Sequence, residues 1–128
     1  MIKLKMIELL NCFEVLKKIG NINTNIIPIS FKFKIYLLMN DLKKYLESYN
    51  IQIQELINEY EIDILQDGRI TCEDENKLKN FLSKKNELEN MDLEIEYEKI
   101  MFDKNINNIS ANDLLNLSPF FDFSELMQ

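Results

Sequence analysis

The chain has no histidine and only two glycines among its 128 residues. Without histidine it cannot build a Ser-His-Asp or Cys-His nucleophile, an imidazole proton shuttle or an imidazole metal ligand. Neither glycine belongs to a phosphate-binding loop, since GxGxxG and GxxxxGK[ST] are both missing. We therefore expect a protein that is not an enzyme.

Cysteine is equally scarce, and Cys12 and Cys72 stand 60 positions apart. Two isolated thiols supply neither a zinc ligand set nor a disulfide framework, so we expect reduced cysteines, no metal and no cofactor. No apolar run approaches the roughly 18 residues of a membrane span, and Glu8 interrupts the stretch that a signal peptide would need. The expected location is the cytoplasm.

What the chain does have is a regular apolar stripe through its middle. Its members recur every three or four residues, an average of about 3.6, which predicts one long helix from near Phe31 to near Glu61 with one buried face. The stripe consists of Phe31, Ile35, Leu38, Leu42, Tyr45, Tyr49, Ile53, Leu56 and Tyr60.

The other predicted elements are short. They are a strand at 2–6, a helix at 8–19 with Gly20 as its left-handed stop, an Asp-Gly hairpin at 62–72, a helix to about residue 90 opened by a Thr71-x-x-Asp74 capping box, a strand at 93–102 and a helix capped by Ser110. Ser30 is the expected cap of the long helix. Together these elements predict one α+β domain over residues 1–128, with one long central helix and two or three shorter helices packed on a small antiparallel sheet.

Residues 63–74 also partly match a calcium-binding loop. Asp63, Asp67 and Asp74 fall at ligand positions 1, 5 and 12. However, Leu65 stands where position 3 needs an oxygen ligand, and an aspartate replaces the bidentate glutamate. We therefore favour the hairpin over the calcium loop.

Charge is unevenly distributed along the chain. Residues 1–45 hold eight lysines and three carboxylates, whereas residues 46–128 hold seven basic and nineteen acidic residues. On a strand, alternate side chains share one face about 6.5–7 Å apart, a spacing close to that of phosphates in a nucleic-acid strand. Such a face could occupy a cationic channel, or it could protect a sheet edge from aggregation. The densest carboxylates are Glu87, Glu89, Asp92, Glu94, Glu96 and Glu98.

Three phenylalanines lie close together near the end of the sequence. Phe120, Phe121 and Phe123 either close the core over the long helix or form an exposed aromatic contact for a partner. Arg69 is the only arginine, which argues against direct sequence-specific nucleic-acid recognition.

The order of these features resembles small uncharacterised proteins encoded by phages and prophages of low-GC bacteria. The matching pieces are Asn25-Ile26-Ile27-Pro28-Ile29-Ser30, Asp67-Gly68-Arg69-Ile70, and the leucine-rich segment from Ala111 to Phe121. The resemblance implies a phage context and binding to a larger machine, and it offers no catalytic residues. If a phage encodes the chain, the expected cytoplasm is that of the host cell.

We therefore expect a non-enzymatic phage-type binding protein. Its expected role is that of an acidic inhibitor that blocks a host macromolecule, as anti-CRISPR proteins do, through the six carboxylates and the three phenylalanines. The expected partner is a protein of a nucleic-acid-handling host complex, and neither a membrane nor a specific nucleic-acid sequence. The alternative is a virion or tail-assembly protein that acts as an oligomer through the long helix and the terminal phenylalanines.

Overall fold

We obtained a computed structural model of the chain, which describes residues 1–106 and 109–127. The described helices and strands confirm the α+β class and its one long helix. In chain order they are β1 (Ile2–Lys5), α1 (Met6–Gly20), α2 (Ile29–Glu59), β2 (Asp63–Ile64), β3 (Ile70–Thr71), α3 (Glu75–Glu89), β4 (Asp92–Ile95), β5 (Ile100–Met101), α4 (Ala111–Leu117), β6 (Phe121–Asp122) and a 3-10 turn (Ser124–Met127).

Helix α2 follows the predicted apolar stripe. Five members of the stripe are buried and the other four are half-buried, as expected for one face of a helix that packs inward. The helix begins two residues early, because the carbonyl of Pro28 accepts hydrogen bonds from the amides of Phe31 and Lys32. Ser30 therefore lies inside the first turn and does not cap the helix, contrary to the prediction.

The left-handed helix stop is at Glu61, not at Gly20. Glu61 has a φ of 54°, and the amide of Ile62 donates to the carbonyl of Ile57 at 2.9 Å, the bond that closes a Schellman motif. Gly20 is an ordinary last residue of α1, and the chain leaves that helix through Asn21 with a φ of −90°. The prediction for Gly20 was wrong because a glycine after a helical pattern does not by itself show that the chain turns there.

The described strands form three two-stranded sheets and not one. β1 pairs antiparallel with β4, and β2 pairs antiparallel with β3 as the predicted Asp-Gly hairpin. The predicted strand at 93–102 is split, because β4 ends at Ile95 and β5 pairs in parallel with β6. The amide of Ile100 donates to the carbonyl of Phe120, and that of Phe102 donates to the carbonyl of Asp122.

The described residues divide into two compact units, one from 1–43 and 92–128 and the other from 44–91. The first unit has a large apolar core that includes Leu9, Leu16, Leu38 and Phe102. The second unit has three buried residues, Leu56, Ile62 and Phe81, with half-buried side chains packed around them. The single domain over residues 1–128 stays a prediction.

Capping at the remaining helices is local. The hydroxyl of Ser110 accepts a hydrogen bond from the amide of Asp113, so the predicted cap of α4 is confirmed. Helix α3 begins at Glu75 with Asp74 as its cap, since the carboxylate of Asp74 accepts from the amides of Asn76 and Lys77. Thr71 lies in β3 instead of capping the helix.

Candidate functional site

The two predicted carboxylates of the second unit lie at the end of α3 and differ in their surroundings. Glu87 is exposed and lies 3.5 Å from the ammonium of Lys84. Glu89 is half-buried and accepts hydrogen bonds from the Tyr49 hydroxyl at 3.3 Å and from the Lys85 ammonium. Burial, together with the nearby carboxylate of Glu89, raises the pKa of Tyr49 to about 12. Glu89 is thus bound within its own unit and presents little charge to a partner.

Asp92 and Glu94 lie on β4 opposite two lysines. The antiparallel register places Asp92 across from Lys5 and Glu94 across from Lys3. The ammonium of Lys3 is 3.9 Å from a Glu94 oxygen, a solvent-exposed pair of opposite charge. This strand pair therefore carries mixed charge, which reduces its likeness to a row of phosphates.

Glu96 and Glu98 follow the end of β4 and are exposed. Neither makes an ion pair or a side-chain hydrogen bond within the part of the chain that the structure describes. Tyr97, between them, is half-buried and packs edge-to-face on Phe120 with ring centroids 6.1 Å apart. The predicted row of three carboxylates along one strand does not form, because the strand ends at Ile95.

The terminal phenylalanines belong to the core of the first unit. Phe120 and Phe121 are buried, and Phe123 is half-buried with its ring 5.3 Å from that of Phe102. Phe121 also lies 6.1 Å from the ring of Phe31 on α2. This burial corrects the assignment of Phe120 and Phe121 to a partner-binding surface, since a buried side chain has no area to offer.

The structure brings Asp63 and Asp74, which the calcium-loop pattern had grouped, together with two glutamates that the sequence analysis did not group with them. Glu61, Asp63, Glu73 and Asp74 line a groove of about 360 Å³ in the second unit, which also contains Cys72 and Lys77. The Lys77 ammonium lies 2.8 Å from the Glu61 carboxylate, and this hydrogen bond raises the pKa of Lys77. In the sequence, the high density of carboxylates in residues 55–75 indicated that such an acidic groove could form. In the described part of the chain, no cluster of three or more metal-ligating side chains is placed to hold a metal ion.

The turn of the hairpin is built by its own residues. Gly68 adopts a φ of 87°, and the amide of Leu65 donates to the carbonyl of Arg69 at 2.8 Å. The Asp67 carboxylate lies 2.6 Å from the Arg69 guanidinium nitrogen Nε. Asp67 therefore serves the turn through an ion pair within it.

A second apolar row on α2 was also missed. Ile29, Phe33, Tyr36 and Leu37 are 73%, 63%, 49% and 48% exposed. Their spacing of four, three and one residues places them on one face, opposite the buried stripe. The same periodic spacing that revealed the core face was available for this row, but periodicity alone does not say which face is covered.

The two thiols differ in burial. Burial raises the pKa of Cys12 to about 12, so its nucleophilic thiolate is scarce near neutral pH. Cys72 is half-buried, and its Sγ lies 3.5 Å from the carbonyl oxygen of Tyr60. Both cysteines are free.

None of the described helices is both long enough and apolar enough to cross a membrane. A comparison of the chain with protein-family models, with curated proteins and with solved structures found no match.

Proposed function

We propose that this protein acts by binding and not by catalysis, as a phage-type acidic inhibitor that covers a cationic, nucleic-acid-handling surface of a host protein. The observation that carries the proposal is the segment from 96 to 98. Two exposed carboxylates, Glu96 and Glu98, lie on either side of a tyrosine that packs into the core. Tyr97 therefore anchors the backbone between the two carboxylates, and both carboxylates stay exposed to an external cation.

Carboxylates without an internal partner suit such a role for a physical reason. A charge that is already paired gains little from a new cation, whereas an unpaired exposed charge attracts one at long range and speeds association. By this criterion Glu96 and Glu98 rank above Glu87, Glu89 and Glu94, each of which has a partner within the chain. Glu94 is partly compensated by Lys3, and Glu89 is engaged by Tyr49 and Lys85.

The net charge of −7 also supports binding to a cationic protein surface. An acidic protein associates faster with a cationic groove at low salt, and it is repelled by nucleic acid. It would therefore compete with nucleic acid for the same cationic surface. The burial of Phe120 and Phe121 weakens the part of the alternative, an assembly role, that uses the terminal phenylalanines, whereas Glu96 and Glu98 stay exposed.

The test compares two pairs of charge-neutralising substitutions in pull-downs from a lysate of a low-GC bacterium. Glu96→Gln with Glu98→Gln removes two charges from the proposed contact. Glu55→Gln with Glu59→Gln removes two exposed charges from the second unit and serves as the matched control. Single-stranded DNA or RNA in excess is the competitor.

We expect the parent protein and the Glu55/Glu59 control to retain host proteins that nucleic acid displaces. The Glu96/Glu98 variant should lose them, as the parent does at raised salt. Full retention by the Glu96/Glu98 variant, or retention that nucleic acid does not affect, would contradict the proposal.

A further inference from the structure

We draw no further inference here: the strongest candidate, the exposed apolar row of Ile29, Phe33, Tyr36 and Leu37 on α2, has charges of both signs around it, and nothing in the described part of the chain shows what covers it.

Discussion

Gly20 and Gly68 are the only glycines, and their backbones do different things. Gly20 ends α1 in a helical conformation, and a Cβ added there would lie 3.5 Å from Tyr36 Cε1, an ordinary contact. We expect Gly20→Ala to raise the free energy of unfolding by about 0.5–1 kcal/mol, because alanine loses less backbone entropy in a helix. Urea denaturation measures the change.

Gly68→Ala is the matched control for that substitution. Gly68 has a φ of 87°, so alanine should lower the free energy of unfolding by about 1–2 kcal/mol. A loss of stability at both positions would mean that Gly20 has a positive φ after all.

Tyr49 should make the free energy of unfolding fall as pH rises into the alkaline range. Burial and the carboxylate of Glu89 raise its pKa to about 12, whereas a phenol in the unfolded chain titrates near 10. The unfolded chain therefore loses this proton first, so the contribution is complete below about pH 10 and is lost as pH rises toward 12. In urea titrations between pH 9 and 12, Tyr49→Phe should show a smaller loss of stability than the parent. Parallel curves for the two proteins would contradict this assignment.

At the scale of one element, α2 has two apolar faces with different expected costs of truncation. Leu42→Ala removes a buried side chain and should lower the free energy of unfolding by about 2–5 kcal/mol through lost burial and a cavity. Leu37→Ala makes the same chemical change on the second, exposed apolar row of α2 and should lower the free energy of unfolding by less than about 1 kcal/mol. If the two variants lower the urea midpoint by comparable amounts, another chain covers the exposed row in solution.

Local patterns explain which elements were predictable. Helix α2 was predicted because its apolar period repeats over 29 residues, and α4 because Ser110 caps the helix within three residues. The pairing of β5 with β6 was missed because it joins residues about 20 positions apart that carry no common pattern. A left-handed Glu61 has no sequence mark, since any glutamate looks the same in the chain.

The candidate site was predictable to a similar degree. The exposure of Glu96 and Glu98 follows from alternation around Tyr97, which is a local pattern. The capture of Glu89 by Tyr49, 40 positions away, depends on tertiary packing that the sequence does not display. Grouping six acidic residues by proximity in sequence therefore included one that the fold neutralises.

At the scale of the whole molecule, the two units differ in how much apolar surface they bury. Helix α1 of the first unit contributes fully buried residues such as Leu9 and Leu16, whereas the second unit buries only Leu56, Ile62 and Phe81 among its described residues. Local opening costs less where fewer apolar contacts are lost. The free energy of opening should therefore be lower in the second unit.

Native-state hydrogen exchange tests this difference amide by amide. We expect the slowest amides of α3 to exchange through openings of lower free energy than the slowest amides of α1. Because the ring of Phe81 is buried, Phe81→Ala should lower the free energy of opening of the second unit by about 3–5 kcal/mol. It should therefore accelerate exchange in α3, while the protection of α1 changes less. If α1 and α3 instead share one opening free energy, and Phe81→Ala lowers both equally, residues 1–128 unfold as the single cooperative domain that the sequence predicts.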